Sequence, residues 1–224
     1  MTESAKKFIF PKWANYLMPF LLIAGLGGAT YVPVLVGFGA DPNTTATGYQ
    51  PEQPVPFSHA VHAGQLGMDC RYCHNTVEVA PFAAVPATQT CMNCHNNILP
   101  TSPKLAPVRE SYTTGKPVEW VKVHDLADYA YFNHSAHIQK GVGCSTCHGR
   151  IDKMEVVEQH RSLSMSWCID CHRNPEENLR PRDQITNMTW PPQHWDQKTE
   201  GLRLKKEYGV KDAVYMTSCS TCHR

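Results

Sequence analysis

The sequence predicts a mainly α-helical chain with much irregular structure: one N-terminal transmembrane helix, then an outer domain with too few apolar residues for a conventional core. Three observations predict it. No charged residue occurs from Trp13 to Ala40. All ten cysteines fall in five CxxCH motifs. The rest of the chain is rich in proline, with 14 of the 17 lying after Ala40, and shows no sustained period-two alternation, so short helices and Pro-rich loops are expected in place of a sheet.

The uncharged run follows Lys6, Lys7 and Lys12 and ends at Asp41. It exceeds the roughly 20 apolar residues that cross a bilayer. Positive charge on its leading side places the N-terminus in the cytoplasm and everything after Asp41 outside. The run is also longer than the apolar stretch of a signal peptide, about 7–15 residues, and no A-x-A site follows, so a retained single-pass anchor is expected. Within it, AGLGGA at 24–29 spaces small residues four apart, a pattern that lets a second helix approach in lipid, although glycine is in any case common in membrane helices.

A net charge of +1 leaves no basic face for nucleic acid. The cysteines carry the chemistry: Cys70 and Cys73 with His74, Cys91 and Cys94 with His95, Cys144 and Cys147 with His148, Cys168 and Cys171 with His172, Cys219 and Cys222 with His223. A disulfide framework would use ten cysteines, and the gaps of 17 residues between Cys73 and Cys91 and 20 between Cys147 and Cys168 fall in a zinc-ribbon window. Neither explains a histidine after the second cysteine every time, a coincidence on the order of one in a million. Covalent haem c requires it: two thioethers fix the edge of the macrocycle, and the adjoining histidine becomes the proximal iron ligand. Five covalently bound haems are therefore expected. They leave only about 37 residues of the outer segment for each, so the macrocycles themselves should form most of the core.

Organisation follows a repeat. FSHAVH at 57–62 and FNHSAH at 132–137 share FxHxxH, each precedes one CxxCH, and each is followed by a second. The expected division is 1–12 cytoplasmic, 13–40 transmembrane, 41–56 linker, 57–100 first two-haem unit, 101–119 Pro-containing spacer, 120–175 second two-haem unit and 176–224 a C-terminal arm with the fifth haem. Five irons need five distal ligands, and seven histidines lie outside the motifs: His59, His62, His124, His134, His137, His160 and His194. Histidines three apart on a helix point to neighbouring parts of one face and diverge enough to serve two different irons.

The FxHxxH–CxxCH arrangement resembles that of the class III multihaem cytochromes c. The resemblance implies that His59 and His134 ligate the haem attached just downstream and that His62 and His137 reach another. For the fifth distal ligand His124 is preferred over Met165, with His160 and His194 remaining; a methionine would raise that site's potential. With all five irons six-coordinate no substrate position is open, and no independent catalytic site is expected.

WVKVHDLADYAYFNHSAHIQKGVGCSTCHGRIDKMEVV, LSMSWCIDCHRNPE and CSTCHR further resemble the pentahaem cytochrome c subunit of bacterial alternative complex III, a quinol:electron-acceptor oxidoreductase. Ala127 and Ser166 depart from that pattern, where Pro and Gly are usual. The resemblance implies an iron–sulfur subunit, polytopic quinol-interacting membrane subunits and a monohaem cytochrome as partners, and electron flow from quinol to a soluble carrier or terminal oxidase. Two other readings are a stand-alone membrane-anchored multihaem quinol dehydrogenase and a multihaem nitrite or hydroxylamine reductase. The former usually carries its first haem motif close behind the helix, whereas about thirty residues separate Ala40 from Cys70. The latter would expose an open iron.

Overall fold

The computed structural model describes residues 10–223; most of the expected cytoplasmic segment, with Lys6 and Lys7, and the terminal Arg224 lie outside the described residues. The chain divides into an N-terminal unit that runs through Thr45 and a second unit from Ala46 onward.

In the first unit, α1 (Ala14–Gly39) is a 26-residue helix with no buried residue and a mean hydropathy of 1.9 over its most apolar window. At about 1.5 Å per residue it is long enough to cross a hydrocarbon layer of about 30 Å. Pro19 and Pro33 lie inside it, which helices in lipid tolerate better than helices in water. The Thr30 hydroxyl donates back to the carbonyls of Leu26 and Gly27, so this polar side chain in the middle of the apolar run is satisfied within the helix. A short turn, α2 (Pro42–Thr45), follows, started by the Asp41 carboxylate accepting from the Asn43 amide.

The second unit is built from short helices: α3 (Cys70–Cys73), α4 (Thr88–His95), α5 (Ala106–Thr114), α6 (His134–Gln139), α7 (Cys144–His148), α8 (Met165–Arg173), α9 (Gln197–Glu207), α10 (Ala213–Met216) and α11 (Cys219–Cys222). All five CxxC sequences are helical. A spacing of three places both cysteines on one side of a turn, with the histidine at its end. The helices start where side chains can cap them: Asp69 before α3, Asn133 before α6, Ser164 before α8, Asp196 before α9 and Asp212 before α10 each accept from an amide of the first turn. The Pro-containing connections hold 3₁₀ turns at Pro103–Leu105, Pro175–Glu177 and Arg182–Gln184, and the 101–119 stretch expected as a spacer also carries α5, with Pro107 in its first turn. The described residues contain no β-strand, only one antiparallel bridge between Val142 and Leu179.

The apolar interior is thin, as the composition predicts. It consists of three small clusters: Val55, Met92 and Val108; Val77, Ile138 and Ile185; Leu179, Leu204 and Tyr208. Part of the stretch expected as a linker is fastened down. Gly48 donates to the Gln159 carbonyl and Gln159 back to that of Tyr49, Gln50 and Gln53 bond to the backbone of Val156 and Val121, and Val55 is buried. Proline and polar composition hide this, because the segment's partners lie far along the chain.

Candidate functional site

The two FxHxxH copies fold alike. Ser58 Oγ accepts from the Val61 amide and Asn133 Oδ1 from the Ala136 amide, so each small polar residue after the phenylalanine starts a helical turn. Phe57 lies flat on His62 with centroids 4.4 Å apart and edge-on to His59 at 4.8 Å; Phe132 does the same to His137 at 4.6 Å and His134 at 4.7 Å. The second histidine of each copy is further held through Nδ1 by the carbonyl of Ser58 or Asn133. One phenylalanine and one turn thus aim two imidazoles in different directions.

Each of those imidazoles faces the histidine of a CxxCH. His59 stacks opposite His74 with centroids 6.5 Å apart and planes 7° from parallel, and His134 opposite His148 at 6.5 Å and 5°. The second histidines cross to other motifs: His137 faces His172 at 6.1 Å and 27°, and His62 faces His95 at 6.2 Å and 64°. Imidazoles bound to opposite sides of one metal ion, each nitrogen about 2 Å from it, have ring centroids slightly more than about 6 Å apart. All four gaps have the width that an axially ligated iron needs.

The tautomers suit the same purpose. Nδ1 of His62, His74, His95, His134, His137, His172 and His223 lies 2.7–2.9 Å from a backbone carbonyl. A carbonyl only accepts, so each Nδ1 carries the hydrogen and each Nε2 keeps its lone pair. Burial pushes the imidazoles toward the neutral form that binds metal. It is the main cause of the fall of His59 to about 4, reinforced by His74 and His62, and of His148 to about 3, reinforced by His124, His134, His74 and His59. His124, His134 and His137 are lowered as well, again chiefly by burial.

The fifth motif differs. The ring contact of His223 is with Tyr129, at 5.8 Å, and its Nδ1 is held by the Tyr129 carbonyl. His124 lies elsewhere, edge-on to His148 with centroids 4.5 Å apart, too close for an iron between them. Nε2 of His124 and Nδ1 of His148 are both buried without a hydrogen-bond partner, so His124 stands where the other CxxCH histidines have a carbonyl. His160 packs its ring on Gly149, the residue after His148, whose φ of +64° and contact of 2.5 Å to a would-be Cβ leave room only for glycine. His194 is exposed. Met165 begins α8 with 66% of its surface exposed, one turn before Cys168.

No disulfide joins any of the ten cysteines, and among the described residues no group of three or more His, Cys, Asp or Glu side chains converges on a metal position. The ligating geometry is one of opposed pairs beside thiols, which fits haem c. The class III cytochrome c family matches this chain at residues 38–108, which take in the first FxHxxH and the first two CxxCH motifs. The multiheme cytochrome c subunit of the menaquinone reductase of Nitratidesulfovibrio vulgaris is 30% identical over 175 residues, spanning 78% of this chain and 69% of that protein.

The chain belongs to the class III multihaem cytochrome c family. Membership implies covalently bound haem c. For a class III cytochrome the sequence marks cysteines and histidines well, but other contributors escape it. The aromatic platforms Phe57 and Phe132 were visible only as letters of a repeat. The carbonyls of Pro81, Ala84, Ile98 and Met216 leave no sequence signal, because any residue can supply one.

Proposed function

We propose that this cytochrome is a membrane-anchored pentahaem electron relay, a subunit of a quinol:acceptor oxidoreductase complex. The observation that carries this reading is the set of four imidazole pairs, each spanning an iron-sized gap. Haem c, when bound, supplies one-electron carriers; the polypeptide would hold it through two imidazole nitrogens at four sites and through an imidazole nitrogen and a thioether sulfur at the fifth. His59 with His74, His62 with His95, His134 with His148 and His137 with His172 are assigned as axial pairs. Met165 is assigned to the fifth site opposite His223, because α8 lies beside α10 and the thiol of Cys168 interacts with that of Cys222. His124 is read instead as the partner of His148.

α1 is taken as the anchor, with the N-terminus cytoplasmic and the haem domain outside. The partners proposed from the resemblance to alternative complex III are an iron–sulfur subunit, polytopic quinol-interacting subunits and a monohaem cytochrome. Electrons would then pass from quinol, through the iron–sulfur subunit and this chain, toward a carrier or terminal oxidase. The name of the relative from N. vulgaris favours a second reading of direction, in which the same relay delivers electrons toward menaquinone.

Three measurements test the proposal. Intact mass with a pyridine haemochrome spectrum should report five covalent haems per chain. Gentle solubilisation should release the protein with polytopic membrane subunits; isolation as a free monomer would overturn the complex-subunit reading. Binding of carbon monoxide to the native reduced protein would favour an enzyme with an open iron.

A further inference from the structure

We infer that the attachment sites form one unbranched row, in the order Cys91–Cys94, Cys70–Cys73, Cys144–Cys147, Cys168–Cys171, Cys219–Cys222, with the ends at His95 and His223. The inference rests on the axial pairs proposed above and names the path within them. It departs from chain order at one point: the second motif in sequence lies at one end, and the first and third are neighbours.

Each link has its own contact. The first joins the His62–His95 pair to the His59–His74 pair, because His59 and His62 stand three apart on one turn beneath Phe57. Cys73 and Cys91 also interact. The second link crosses between the two repeats. His134 is held through both its backbone amide and its Nδ1 by the carbonyl of Pro81, Val77 packs with Ile138 and Ile185, and Cys70 lies within electrostatic reach of Cys144, as His148 does of His59 and His74. The third repeats the first: His134 and His137 share one turn beneath Phe132, and Cys147 interacts with Cys168 and Cys171. The fourth binds the terminal motif to its neighbour, since Nδ1 of His172 is held by the carbonyl of Met216, three residues before Cys219, and Cys168 interacts with Cys222.

Two motifs whose cysteines lie side by side would hold their attached groups close together, and two imidazoles on one helical turn would serve neighbouring groups. Both arrangements shorten the path between carriers. An interior site has two such neighbours and an end site has one.

The experiment uses the full-length holoprotein in detergent on a Met165→His background, so that no native site carries a methionine ligand, with two further substitutions made singly, His62→Met and His137→Met. A methionine ligand raises a site's potential, so a mild reductant makes that one iron diamagnetic while the others stay ferric. Neighbouring low-spin ferric sites then lose the magnetic broadening it caused in the electron paramagnetic resonance spectrum. His62→Met should sharpen one other site and His137→Met two, with the strongly anisotropic signal expected of the twisted His62–His95 pair unaffected by His137→Met. Sharpening of two or more sites by His62→Met, or of the His62–His95 signal by His137→Met, overturns the order. The near-infrared band of methionine-ligated ferric haem separates the two levels of failure. Its absence from both variants overturns the axial pairs themselves and the order with them, whereas its presence with the wrong neighbours overturns the order alone.

Discussion

The two FxHxxH–CxxCH units carry the same chemistry on different supports. In the first, α3 is capped by Asp69, which also pairs with Arg71 and accepts from Thr186, and this network is partly open to solvent. In the second, the residue before α7 is Gly143, buried, and the guanidinium of Arg180 occupies the space where a side chain would stand. Arg180 is 6% exposed and donates to Ser145 Oγ, Thr146 Oγ1 and the Asn187 carbonyl, with no carboxylate beside it. The first turn differs too: Ala60–Gln65 is a π-helix where its counterpart α6 is regular. The two copies share the phenylalanine–histidine geometry and differ in what supports it. The start of α3 is held chiefly by Arg71, two residues from its cap, with one distant bond from Thr186, whereas the start of α7 is held by Arg180, 35 positions beyond Ser145.

The largest test of that contrast is Gly143→Ala. A Cβ there would lie 2.1 Å from Arg180 Cζ, so the guanidinium must leave its three acceptors, and the holoprotein should lose about 2–4 kcal/mol in denaturant unfolding. A loss under about 1 kcal/mol would mean that Arg180 does not hold the second unit. Next come the platforms. Phe132→Ala and Phe57→Ala should each remove a ring contact worth about 0.5–1.5 kcal/mol besides the lost area, and should broaden the spectral signals of two sites at once. Change confined to a single site would contradict the shared-platform geometry.

Smaller still is Asp69→Ala, with a cost of about 1 kcal/mol for the lost cap. Arg71 lowers the Asp69 carboxyl from 3.8 to about 2. A depressed folded value means that the contribution is complete above about pH 4 and fades as pH falls toward 2. Partial exposure keeps it within about 1 kcal/mol. Stability curves of wild type and Asp69→Asn should therefore converge between pH 4 and 2; a constant gap would assign the effect to something other than ionisation. For the fifth site, Met165→Ala should abolish any methionine–iron band in the native protein, and retention of that band would exclude Met165 as the ligand.

Sequence showed the chemistry of these units better than their architecture, for a physical reason. Thioether attachment and axial ligation demand fixed residue types at fixed local spacings, so CxxCH and FxHxxH are readable without any tertiary information. The thin core and helical, irregular fold follow equally from composition and periodicity. The position of His124 beside His148 does not, because its neighbour lies 24 residues away across a turn-rich loop. Nor does the Gly143–Arg180 packing, in which a glycine that looks like loop punctuation is a site of close approach. The fastening of residues 48–55 was hidden for the same reason: its bonds run to Val121, Val156 and Gln159.

The surplus histidine of each FxHxxH is the centre of this account, and iron anomalous diffraction from crystals of the holoprotein tests it most directly. The account predicts one iron about 2 Å from both His137 Nε2 and His172 Nε2, and a separate iron between His134 and His148. An iron shared by His137 and His148, or a His137 that touches none, would contradict it.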